Sequence, residues 1–132
     1  MRRVLPCAAL ALSMFNAIAA QAACLKAGSE DQFAEGRLAL VAITIPAYKR
    51  KDQVFMLQLA AQACLDVSDK DDEVEPTRRI HVFSNDDAVR KRMRSLVGKA
   101  VRVKGEPFGQ HTAHHHAPIV MRVNAIEPLP AK

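Results

Sequence analysis

Four of the five histidines in this 132-residue chain fall within six positions, His111-Thr112-Ala113-His114-His115-His116. Neutral imidazole is a ready ligand for zinc, copper and nickel. In an extended segment His114 and His116 point to one side, and a turn at Thr112-Ala113 would bring His111 back toward them. Those three nitrogens are the candidate site for a divalent transition metal. No Asp or Glu stands inside the tract to orient a ligating ring. The same residues, with His115, therefore also read as side chains that contact a bound ligand, or that hydrogen-bond backbone and pin a loop. His81 stands alone in the sequence and reads as a structural histidine.

A second group is Tyr48-Lys49-Arg50-Lys51, three consecutive cations beside the only tyrosine. Such a group suits an anionic partner: a small molecule, a glycan, a lipid headgroup or an acidic protein. Catalytic chemistry finds no comparable footing. The chain has no nucleophile elbow, no H-E-x-x-H helix and no convincing triad, so it is expected not to be an enzyme. Residues 66–75 hold six acids and one lysine. Like charges at that density make a solvated loop, and the run lacks the glycine and ligand spacing of a calcium loop.

These groups need elements to position them. Residues 24–35 are short and mixed, an irregular lead-in tied down by Cys24. Residues 37–45 are rich in Leu, Val and Ile and end at Pro46, a first strand. Residues 53–59 form a second, with Phe55, Leu57 and Leu59 on one face and Val54 and Met56 on the other. It extends toward Cys64 and pairs with the first across the basic turn. Residues 77–83 are a third strand. A helix follows, capped by Ser84, its apolar stripe Val89, Met93, Leu96 and Val97, its stop Gly98. Residues 99–104 are a fourth strand, 105–118 a loop carrying the histidines, and 119–126 a fifth strand.

Three strands, one helix and two strands is the element order of an oligonucleotide/oligosaccharide-binding (OB) barrel. The fold class is thus mainly β, a small five-stranded OB-like barrel with one helix between strands 3 and 4. Ligands of that fold sit on strands two and three, between the first-to-second and fourth-to-fifth strand loops. Here those loops are the basic turn and the histidine tract.

The N-terminus reads as an export signal. Met1-Arg2-Arg3 is a positive start, the following run to Ala19 is uncharged and largely apolar, and Ala20-Gln21-Ala22 is a small-residue cleavage site. Removal of residues 1–23 leaves a single domain, residues 24–132, in the periplasm or outside the cell, with no stable membrane insertion. Gln21 stands where lipid attachment at Cys24 normally wants a leucine. Loss of Arg2 and Arg3 leaves 17 basic against 14 acidic side chains, a net charge of about +3. That balance, the location and a chain with no tryptophan argue against a nucleic-acid partner. Cys24 and Cys64 remain in an oxidising compartment, either as a disulfide or as two buried thiols. A bridge would close a loop of about 40 residues, worth roughly 4 kcal/mol in the chain-entropy account.

Gly98-Lys99-Ala100-Val101-Arg102-Val103-Lys104-Gly105, then Phe108, then His111-Thr112-Ala113-His114-His115-His116-Ala117-Pro118 resembles the signature of a small exported bacterial family, the domain-of-unknown-function 4431 family. The clear resemblance spans residues 96–123. Ala113 and Ala117 stand where the family has Gly and Thr, and Glu106-Pro107 where it has small or apolar residues. The resemblance also implies a cysteine near the mature start bridged to one after the second strand, here Cys24 and Cys64. It implies no activity. The function expected from the sequence is a non-enzymatic exported binding protein, with Tyr48, Lys49, Arg50, Lys51, His111, His114, His115 and His116 as its face. The alternative is a periplasmic metal-binding protein using His111, His114 and His116.

Overall fold

The structure is a computed structural model that describes residues 23–130. Of the export signal read at residues 1–23, residues 1–22 lie outside the described residues. The described residues form six strands: β1 (Ala23–Lys26), β2 (Gln32–Ile45), β3 (Arg50–Asp66), β4 (Thr77–Phe83), β5 (Ala100–Gly109) and β6 (Ile119–Pro128). One helix, α1 (Asp87–Ser95), lies between β4 and β5. Five strands close on themselves in the order β2-β3-β4-β6-β5, with β5 returning to β2, and only the β4–β6 pairing within that ring is parallel. This is the mainly β, five-stranded barrel with one helix that the element order predicts.

The period-2 alternation of each strand sorts its side chains between two faces. Leu38, Leu57, Ile80, Val82, Val101, Val103, Ile119 and Met121 fill the barrel and are fully buried. Met93 and Leu96 add the helix to this core. Close packing at the wall fixes Gly105: a Cβ there would lie 2.0 Å from the Arg122 carbonyl oxygen. It stands at the register shift where β5 leaves β2 and continues along β6.

Several expectations need correction. The lead-in at residues 24–35 is ordered: β1 pairs parallel with the far end of β3, and Gln32 to Arg37 pair with β5. Cys24 stands directly opposite Cys64 in the β1–β3 register, and the two form a disulfide. A covalent cross-link across one register position lets a four-residue strand hold its place. The histidine loop is shorter than residues 105–118, because β5 runs on to Gly109. Pro107 fits inside that strand because its carbonyl accepts from the Gly28 N–H, on the side away from β6. Its missing N–H falls on that same side, where no strand pairs.

The helix cap is Asp86, whose carboxylate accepts from the Val89 N–H at 3.0 Å. Ser84 instead accepts from the Asp86 N–H, one turn ahead of the helix. Val97 leaves the predicted stripe and is exposed, because the helical backbone ends at Leu96. Among the described residues no helix is long and apolar enough to cross a membrane.

Candidate functional site

The turn between β2 and β3 begins as a short 3-10 segment, Pro46–Tyr48, and closes on Lys49. Lys49 adopts φ 49°, and its N–H donates to the Pro46 carbonyl at 3.2 Å. The turn leaves Tyr48 well exposed and passes Arg50 into the first position of β3. There the Arg50 Nη2 donates to Asp52 Oδ2 at 3.1 Å, and Nε lies 2.7 Å from Oδ1. The Nε–H has no acceptor in line, so that contact is ionic only. The guanidinium also lies 5.9 Å from the Tyr48 ring centroid, within cation–π reach.

The histidine loop folds onto this turn. Its base is closed by Gln110 N–H to the Pro118 carbonyl, and its tip by His115 N–H to the Thr112 carbonyl. The tip needs no left-handed residue, since Lys49 is the only non-glycine at positive φ among the described residues. Alanine at position 113 therefore imposes no strain on it. From this loop His116 Nε2 reaches Asp52 Oδ2 at 3.4 Å, and His114 Nδ1 lies 4.0 Å from the same oxygen. His114 Nδ1 is also 3.2 Å from Arg50 Nη2. The basic turn and the histidine loop thus meet at one carboxylate. The Arg50 hydrogen bond, aided by His116, holds the Asp52 carboxyl below its usual range.

Between its ends the loop lies over the outer face of the barrel. Ala39, Met56, His81, Val120 and Phe108 occupy one row across that face, each paired in register with the next. Ala117 packs on Val54 and Met56, forming a second small core with Val41 and Ile43. His81 is buried beneath the loop, and its Nδ1 accepts the His116 N–H at 3.2 Å. That acceptor role puts the ring proton on Nε2. Burial lowers the His81 pKa to about 4, with the rings of His116 and His115 pushing the same way, so the ring is neutral at pH 7.

The remaining histidines go elsewhere. His111 stacks on His115 with centroids 4.7 Å apart and planes 13° apart, and both rings pack against Phe108 at 5.2 Å. Burial lowers the His115 pKa as well, helped by the three neighbouring histidines of the loop. The structure therefore brings His114 and His116 to Asp52, whereas His111 stacks on His115. Among the described residues no group of three or more His, Cys, Asp or Glu side chains is placed to hold a metal ion. At the point where Asp52, His114 and His116 converge, the positive charge is already that of Arg50.

Sequence reasoning placed the two flanking loops and missed what joins them. Asp52 directly follows the basic turn, and an acid at the end of a cationic run is the signal that could have marked it. His81 has a structural role, as its isolation suggested, and it is also the residue that anchors the loop. Phe108 and Ala117 carried no signal of their contacts.

Residues 79–127 match the family model described as a domain of unknown function (DUF4431). The match encloses the 96–123 signature and extends it from β4 into β6. It takes in His81, Phe108 and the whole histidine loop, and stops short of Asp52 and the basic turn. No curated protein matches the chain.

Proposed function

We propose that this protein is an exported, non-enzymatic binding module that takes an anionic ligand on the rim where the basic turn meets the histidine loop. The observation that carries the reading is the meeting of Arg50, Asp52, His114 and His116 within 4.0 Å. It fixes two loops into one preformed surface, which lowers the entropy lost on binding. Lys49 and His114 are exposed at that surface, with the His114 side chain 68% exposed, and Lys51 is exposed on the other face of β3, since it precedes Asp52 by one residue. Asp52 is engaged by Arg50, which leaves Lys49, with Lys51 on the opposite face of the hairpin, to set the field beside the rim. The Cys24–Cys64 disulfide fits an oxidising compartment and the export signal read at residues 1–23.

The test is an NMR titration of the disulfide-closed protein with inorganic phosphate and, separately, with a sulfated oligosaccharide. Saturable shifts confined to residues 48–52 and 111–116 are expected for at least one probe, weakening as salt rises. Lys49→Gln with Lys51→Gln should reduce affinity about tenfold, the loss of roughly 1.4 kcal/mol. Shifts that are absent, or that survive both substitutions unchanged, overturn the reading.

A further inference from the structure

Beyond Leu38, one edge of β2 has no partner among the described residues. Its pairing with β5 covers Gln32 to Arg37, and its pairing with β3 covers Arg37 to Ile45. At Leu38 the N–H donates to the Lys99 carbonyl at 3.0 Å and the carbonyl accepts from the Gly98 N–H at 2.7 Å. Leu38 therefore bonds on the side away from β3. Alternate residues of an antiparallel strand address the same side. Leu40, Ala42 and Thr44 thus direct their N–H and C=O groups to that side as well, where nothing among the described residues pairs with them.

The side chains along this edge do nothing to protect it. Ala39-Leu40-Val41-Ala42-Ile43-Thr44-Ile45 contains no charge, no proline and no glycine. Its register with β3 is unbroken by any bulge, and Leu40 is 43% exposed. Natural sheets blunt exposed edges with lysine, proline, bulges or a covering loop. The helix packs on the barrel core, and the histidine loop packs through Ala117 on the hairpin face that carries Val41, Ile43, Val54 and Met56; among the described residues neither gives a backbone hydrogen bond to Leu40, Ala42 or Thr44.

We infer that this edge is an interface, and that its occupant is a second copy of this chain, paired β2 to β2 antiparallel across a two-fold axis at Ala42. The edge is bounded by Gly98 and Lys99 at one end and by Pro46 at the other, which leaves Leu40, Ala42 and Thr44 to pair. A two-fold at Ala42 sets Leu40 opposite Thr44 and Val41 opposite Ile43 of the other copy, on matching faces. About six backbone hydrogen bonds form with no like charges facing. The pairing spans Ala39 to Ile45 in each copy, the stretch left free between Gly98-Lys99 and Pro46, so the two edges match in length. A C2 interface of this kind is self-complementary by construction.

The mature, disulfide-closed protein should pass from monomer to dimer in sedimentation across roughly a hundredfold range of concentration. Ala42 faces itself across the axis, so Ala42→Lys should set two cations against each other and raise the dissociation constant at least about tenfold, while circular dichroism stays native. Ala42→Glu should do the same. An equimolar mixture of the two variants should recover a heterodimer. Hydrogen exchange on the wild type should protect the Leu40, Ala42 and Thr44 amides only under dimer conditions. A wild type that stays monomeric throughout overturns the inference, including one that instead captures a different protein. So does a dimer unaffected by either substitution, or one whose three edge amides exchange as fast as in the monomer.

Discussion

The β2–β3 hairpin has two flanks, and they are finished differently. On the β3 flank, Val54 and Met56 point away from the barrel yet are buried, because the histidine loop crosses them and is tied down at His81 and Asp52. On the β2 flank, Leu40, Ala42 and Thr44 face solvent, with no partner for their edge-facing backbone groups among the described residues. Val54 and Met56 on one flank and Leu40 and Ala42 on the other are all apolar, so hydrophobicity of the residues does not explain the contrast. What differs is the supply of covering chain: the loop returning from β5 to β6 reaches β3 and does not reach the far edge of β2. Cover on a sheet is a tertiary gift, allotted by topology.

The sharpest test of this contrast removes comparable apolar side chains from the two flanks. Met56→Ala should cost about 3 kcal/mol, since it empties a site 3% exposed between β3 and the loop. Leu40→Ala should cost less than about 1 kcal/mol in the monomer. Urea unfolding of both variants at a concentration below any self-association checks the pair. Equal losses would mean that the loop does not close over Met56 in solution.

Acid should weaken the covered flank next. The His81 pKa falls from 6.5 unfolded to about 4 folded, so the folded protein binds fewer protons between those values. Its contribution is complete above pH 6.5 and is lost as pH falls toward 4, by at most about 3 kcal/mol. His115 and Asp52 are shifted in the same destabilising direction toward acid, Asp52 only below its ordinary range near 3.8. His81→Asn keeps an acceptor for the His116 N–H and removes the titration. Stability of the wild type measured from pH 8 to 4 should fall more steeply than that of the variant. Parallel curves would show that His81 is not held neutral beneath the loop.

Much of this architecture could be read in the chain. The barrel order followed from period-2 runs and one capped helix, and the 77–83 strand appears with those bounds as β4. The near-continuous apolar run at residues 54–57 also carried notice that β3 is buried on both faces. What covers its outer face was not legible, because the contacts are distant: His116 meets His81 across 35 residues and Asp52 across 64. The same limit hid β1, whose four residues are ordered only by a parallel partner 40 positions away. Ser84 and Asp86 both satisfy the local rule for a helix cap, and the backbone leaving β4 decides between them.

The smallest expected effect separates the two anchors of the loop. Asp52 is the point where the basic turn and the loop meet, yet its partners are partly exposed: Arg50 is 38% and His114 68% open to solvent at the side chain. Exposed ion pairs contribute little, so Asp52→Asn should lower stability only slightly, less than either substitution above. The asparagine still offers an oxygen to Arg50 and His116, and the His116 N–H still has His81. Ala117 should accordingly remain over Met56, while the loop tip at residues 112–114 loosens. Amide exchange would then rise at His114 and stay slow at His116. Fast exchange at both would place the main anchor at Asp52 rather than His81, and would make the charged rim, not the buried ring, the feature that distinguishes the covered flank from the open one.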